Sequence, residues 1–128
     1  MTPMKKRILI VDDERTVARS LALALAGEGL EVESVLSGEE ALVRAAAVEF
    51  DLILCDLMMP GLSGLDLLKA LRESRPKTPV IMITGYPTVR TAEEALKMGA
   101  SAYITKPFTP AEIRKVAARA LESGDSRP

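Results

Sequence analysis

The chain has 128 residues, enough for one domain with a sizeable core and too few for two. Hydrophobic content of 48% beside 27% charged residues excludes a disordered chain, and a formal charge of -1 excludes a field that would draw nucleic acid or an anionic membrane. Histidine is absent, so any metal must be held by oxygen and any acid/base work must use carboxylates, lysine or a partner.

In chain order, Lys5, Lys6 and Arg7 precede only four apolar residues, too few for a secretory leader. Those four, Ile8 to Val11, form a largely β-branched run ended by Asp12-Asp13-Glu14, which predicts a buried strand with acids at its carboxyl end. Val17, Leu21, Ala24 and Leu25 recur at helical spacing, and Gly27 or Gly29 stops that helix. Residues Leu30 to Leu36 alternate Val32 and Val35 with Glu31 and Glu33, predicting a strand near the sheet edge. Ser37-Gly38-Glu39-Glu40 has capping-box form and opens a helix carrying Ala41, Ala45 and Val48.

The next strand, Leu52 to Cys55, is apolar throughout and ends in Asp56, so it reads as buried on both faces in a parallel sheet. Its lone cysteine, Cys55, is expected to be a packing thiol in a reduced, cytoplasmic setting. No stretch approaches the ~20 apolar residues of a membrane helix. Ser63 or Gly64 starts a helix with an apolar stripe of Leu65, Leu68 and Leu71. Pro79 to Ile83 is the fourth strand, ended by Thr84-Gly85. Thr88 to Met98 predicts a weaker helix, since its inward candidates, Ala92, Ala95 and Leu96, are mostly small, and Gly99 suits its C-terminal turn. Ala102 to Thr105 is the fifth strand, ended by Lys106-Pro107. Thr109-Pro110-Ala111-Glu112 then opens a helix that turns Ile113, Val116, Ala117, Ala120 and Leu121 inward. The domain is expected over residues 1–122, with 123–128 a polar tail or the start of a linker.

Strand and helix alternate five times, which predicts an α/β domain with a five-stranded parallel sheet and helices on both faces. In such a sheet the carboxyl ends of the strands share one edge. That edge gathers Asp12, Asp13, Asp56, Thr84 and Lys106. Asp56 alone could merely cap a loop, as Asp often does in turns. Three crowded carboxylates repel one another unless a cation compensates, and Mg2+ suits one or two carboxylates with waters and a phosphate. Asp56 is the candidate nucleophile toward a phosphoryl group, with Lys106 as a second positive charge and Thr84 as a hydroxyl donor.

Taken together, Val11-Asp12-Asp13-Glu14, Asp56-Leu57-Met58-Met59-Pro60-Gly61, Thr84-Gly85, Tyr103 and Lys106-Pro107-Phe108 resemble the receiver domain of two-component response regulators. The resemblance covers about residues 5 to 122. It implies a doubly wound (βα)5, flavodoxin-like fold with sheet order 2-1-3-4-5. It also implies a signalling switch rather than an enzyme: Asp56 takes a phosphoryl group from a sensor histidine kinase or phosphotransfer protein. Asp13 is implied as a direct Mg2+ ligand, Asp12 through water, and the backbone carbonyl of Met58 as a further ligand beside Asp56. A cis bond between Lys106 and Pro107 is implied, with Thr84 and Tyr103 as a switch pair. Glu14 is read as a first-turn acid, while Met58 and Tyr86 flank the acceptor and govern the lifetime of the acyl phosphate. The face formed by the fourth helix, fifth strand and fifth helix is the expected surface for a homodimer or an effector, and the effector domain itself is not among these residues.

Rival readings fit less well. A haloacid-dehalogenase-type phosphohydrolase needs a second Asp where Met58 stands, and a dinucleotide-binding domain needs a Gly-x-Gly-x-x-Gly after the first strand. A receiver-shaped docking module that is never phosphorylated is the remaining alternative.

Overall fold

Side-chain parity along the central strands dictates two cores, one on each side of a sheet. The computed structural model describes residues 5–27, 29–85 and 88–125, with backbone alone from 123. Five strands, β1 (Lys6–Val11), β2 (Leu30–Val35), β3 (Leu52–Asp56), β4 (Val80–Thr84) and β5 (Ala102–Thr105), pair in parallel in the order β2-β1-β3-β4-β5. Ile8, Ile10, Leu52, Leu54, Ile81 and Ile83 point into one core, while Leu9, Val11, Ile53, Cys55, Val80 and Met82 point into the other. That alternation is the period of two of a pleated strand, and burial on both faces is why these runs carry no polar side until their last residue.

The first core is closed by α1 (Arg15–Leu25) and α5 (Pro110–Asp125), the second by α2 (Gly38–Ala47), α3 (Gly64–Ser74) and α4 (Val89–Lys97). The sheet order and the helices on both faces are the doubly wound, flavodoxin-like arrangement anticipated from the sequence. Several helices begin where their capping residues dictate. The Ser37 hydroxyl accepts from Glu40 N–H at 3.1 Å, Ser63 accepts from Asp66 N–H at 3.2 Å, and Thr109 and Glu112 bond reciprocally. Gly29 and Gly99 follow α1 and α4 with φ of 81° and 100°, a region that favours glycine.

Three packing details differ from the sequence reading. The α3 stripe is Leu67, Leu68 and Leu71, each fully buried and contributing about 1.5–3 kcal/mol of burial, whereas Leu65 is only partly covered. Leu96 of α4 is 52% exposed; Ala95 is the one buried residue of that helix among those described. Val32 and Val35 face opposite cores, because an odd offset along a strand turns side chains to opposite faces and so breaks the expected alternation. The backbone of α5 continues through Asp125, across the first three residues of the tail expected from Ser123. No helix is long and apolar enough to cross a membrane among the described residues.

Candidate functional site

Parallel register brings the strand ends together. Val11 stands opposite Cys55 and Asp56 opposite Ile83, so Asp12 emerges beside Asp56, with Thr84 one step beyond on the other side. Thr84 stands opposite Thr105, and its carbonyl accepts from Lys106 N–H at 2.7 Å, which sets Lys106 at the same edge. The Lys106–Pro107 peptide is cis.

Carboxylate oxygens of Asp12, Asp13 and Asp56 all lie within 4.8 Å of one another. Lys106 Nζ is 3.3 Å from Asp12 Oδ2 and 3.6 Å from Asp56 Oδ2. Asp12 and Asp56 are buried, 1% and 5% exposed, while Asp13 is open to solvent. The remaining oxygens of the buried pair are met by backbone: Glu14 N–H donates to Asp12 Oδ1 at 2.9 Å and Met58 N–H to Asp56 Oδ1 at 3.3 Å.

Burial of two carboxyls with one lysine leaves negative charge in excess. Burial first, then the charge of Asp12, pushes the Asp56 carboxyl up to about 6, against the opposing pull of Lys106 and the Met58 N–H. Asp12 is raised as well, chiefly by burial, with the Glu14 N–H and Lys106 opposing. A hard dication among these oxygens would remove that penalty, and the donor set, oxygen only, fits Mg2+. Cys55 lies just beneath, 1% exposed, its thiol raised by burial and by the charges of Asp56 and Asp12, as befits an inert packing residue.

The other candidates fall around this basin. Thr84 is fully buried at the end of β4. Tyr103 is half-buried on β5, and its hydroxyl lies 3.0 Å from Thr91 Oγ1 of α4, a partner the sequence did not suggest. Met58 is 60% exposed, and its backbone N–H is bonded to Asp56. Glu14 is the N-cap residue of α1, without a side-chain cap bond. Tyr86, expected to flank the acceptor, lies outside the described residues.

Gly64 also belongs to the site, unnoticed in sequence. A Cβ there would stand 2.3 Å from the Asp56 carbonyl oxygen and 2.7 Å from Leu57 Cα, so the start of α3 is seated directly on the acceptor strand. A glycine at the N1 position, where helix formers are expected, was the available signal.

Comparison with known proteins agrees with this geometry. The family model described as "Response regulator receiver domain" matches residues 8–118. Regulatory protein AtoC of Escherichia coli K12 is 43% identical over 116 residues, covering 91% of this chain and 25% of AtoC. The DNA-binding response regulator MtrA of Mycobacterium tuberculosis H37Rv is 37% identical over 129 residues, covering 100% of this chain and 56% of MtrA. The chain thus spans only part of the length of these relatives. Among solved structures, a CheY-like response regulator receiver domain protein from Methanospirillum hungatei JF-1 superimposes with a TM-score of 0.90 at 35% identity, covering 94% of this chain and 97% of that one. With the sheet order, the acidic edge and these likenesses in agreement, the chain belongs to the receiver domain family of response regulators, the signalling switches of two-component systems.

Proposed function

We propose that Asp56 accepts a phosphoryl group from a phosphohistidine of a sensor histidine kinase or phosphotransfer protein, in a site that holds Mg2+. The observation that carries this reading is the placement of Asp56: 5% exposed at a strand end, among two further acids and 3.6 Å from Lys106 Nζ. Asp13, Asp56 and the Met58 carbonyl would hold the ion directly and Asp12 through water. When bound, Mg2+ supplies positive charge that stabilises the transferring phosphoryl oxygens.

The protein's own groups divide the remaining work. An Asp56 carboxylate oxygen forms the new O–P bond as the P–N bond to the donor imidazole breaks, and the electron pair of that bond leaves with the imidazole. Lys106, anchored against Asp12, supplies a second fixed charge to the phosphoryl oxygens. Thr84 donates its hydroxyl to the phosphoryl group. The same site later admits water, so the domain hydrolyses its own acyl phosphate.

Phosphorylation acts by binding two conformations unequally. Moving a population from 1:99 to 99:1 requires about 5.5 kcal/mol of differential stabilisation. A Thr84 hydrogen bond, the Lys106 contact and inward repacking of Tyr103 together reach that order. The surface that responds is formed by α4, β5 and α5. Helix α4 anchors one buried residue, Ala95, and presents Val89 and Leu96, 76% and 52% exposed and two turns apart. We read this face as the site of homodimer or effector contact, with the output lying outside the receiver domain. A cytoplasmic location suits the single reduced, buried thiol.

Mass spectrometry after incubation with Mg2+ and acetyl phosphate tests the acceptor. Wild type should gain one phosphoryl adduct that hydroxylamine removes, and Asp56→Asn none. An adduct of equal yield on Asp56→Asn, or one resistant to hydroxylamine, would overturn the assignment.

A further inference from the structure

The loop between Asp56 and α3 contains Met58, whose carbonyl is the one backbone ligand in the proposed Mg2+ site. Its two ends are held by the strand and the helix: Leu57 N–H donates to the Ile83 carbonyl at 2.8 Å and Gly64 N–H to the Leu57 carbonyl at 3.0 Å. The tip of the loop is held from elsewhere in the fold. Glu39, in the first turn of α2, accepts from Leu62 N–H through Oε2 at 3.3 Å.

Two glycines make that approach feasible. Gly61 has φ of 74°, and a Cβ there would stand 3.0 Å from Glu39 Oε2, so the carboxylate lies over bare backbone. A Cβ on Gly38 would meet the Leu62 carbonyl oxygen and side chain at 3.0 Å, so the start of α2 lies against the same residue. Glu40, the next residue, shares the first turn of α2 but has no bond to the loop among the described residues.

We propose that Glu39 is a positioning residue for the phosphorylation site: by holding the Gly61-Leu62 tip against α2, it sets the Met58 carbonyl for Mg2+. The inference rests on the functional reading above and extends it to a residue that touches neither ion nor phosphoryl group. Groups that orient metal ligands from behind commonly matter nearly as much as the ligands themselves.

Charge and reach at position 39 can be separated. Glu39→Gln keeps the acceptor oxygen within reach of Leu62 but removes the charge that favours a helix N-terminus. Glu39→Asp keeps the charge and withdraws the oxygen by one methylene. Both are compared with Glu40→Ala, which removes an adjacent first-turn charge alone. Mg2+ is titrated by calorimetry, and amide exchange at Met58 and Leu62 is followed in metal-free protein.

Glu39→Asp should weaken Mg2+ binding by about threefold to tenfold, as expected for loss of one hydrogen bond, and speed exchange at both amides. Glu39→Gln and Glu40→Ala should stay near wild type. Equal Mg2+ affinity in Glu39→Asp and wild type, or equal loss in Glu39→Gln and Glu39→Asp, overturns the proposal. Wild-type protein that takes up no Mg2+ instead overturns the functional reading, a result separate from normal binding by wild type and Glu39→Asp alike.

Discussion

The Tyr103 hydroxyl lies 3.0 Å from Thr91 Oγ1, and Thr91 is the residue that closes the capping box of α4 with Thr88. Thr88 N–H donates to Thr91 Oγ1 at 3.2 Å and Thr91 N–H to Thr88 Oγ1 at 3.0 Å. The aromatic ring of β5 is therefore tied to the very group that holds the first turn of the least anchored helix. Turning the ring inward would remove that partner.

Thr91→Ala keeps the Thr88 Oγ1 cap on the residue 91 N–H but removes the acceptor of Thr88 N–H and the partner of Tyr103, and should destabilise the protein by about 1 kcal/mol. Tyr103→Phe leaves the capping box intact and should lose about 1 kcal/mol for one hydrogen bond. Amide exchange at residues 89–92 should quicken in both variants. Unchanged exchange there in Tyr103→Phe would show that the cap does not sense the ring.

The pH dependence of the metal-free protein follows from Asp56. Its carboxyl titrates near 3.8 in an unfolded chain and at about 6 in the folded one. Between those values the native state keeps a proton that the unfolded state has lost, so stability is greatest below the window and falls as pH rises through it. For Asp56 alone the fall is about 3 kcal/mol. Asp12 is raised too and acts in the same direction. Urea unfolding between pH 4 and 7 should show this loss, largely restored by Mg2+ at pH 7. Asp56→Asn should flatten the profile and be the more stable protein at pH 7. A variant that tracks wild type across the window would contradict this assignment.

Much of this was legible because it is local or periodic. Apolar or alternating runs ended by polar residues or turns marked five strands, two of them ended by acids, and Ser37, Ser63, Thr88 and Thr109 marked the helix starts that the structure shows. The gathering of the strand ends at one edge followed from their being parallel, but the sheet order came from resemblance, since periodicity does not say which strand neighbours which. What escaped depends on contacts between elements. Leu65 and Leu67 are equally apolar, and only the tilt of α3 on the sheet decides which is buried. Leu96 looked like an anchor until the shallow seating of α4 left it exposed. The bond from Tyr103 to Thr91 and that from Glu39 to Leu62 join residues on separate elements, which no window of sequence places together.

Gly64 offers a steric test of the acceptor loop. Since a Cβ there would meet the Asp56 carbonyl oxygen at 2.3 Å and Leu57 Cα at 2.7 Å, both backbone, no side-chain rotation can relieve Gly64→Ala. Either α3 lifts away from β3 or the Asp56-Leu57 segment shifts. Overpacking of this kind destabilises by about 1–3 kcal/mol, outweighing the better helix propensity of alanine, about 1 kcal/mol. Denaturant midpoints should fall, and Mg2+ affinity with them, because Met58 moves with the loop. A Gly64→Ala protein of wild-type stability would mean that the start of α3 sits further from the strand.

Met58 separates side chain from backbone at the same place. Its N–H donates to Asp56 Oδ1, which any residue but proline would supply, while Met58 itself is 60% exposed. Met58→Asn should therefore leave stability within about 0.5 kcal/mol, as for most exposed positions. Its effect should fall on the acyl phosphate. In the proposed acyl phosphate a bulky thioether beside the acceptor would exclude water from the phosphorus, whereas an amide would hydrogen-bond and orient a water molecule for attack. Loss of the phosphoryl group, followed after acetyl phosphate is removed, should quicken by about tenfold, or roughly 1.4 kcal/mol of barrier. Decay at the wild-type rate would mean that water reaches Asp56 by a path the Met58 side chain does not cover.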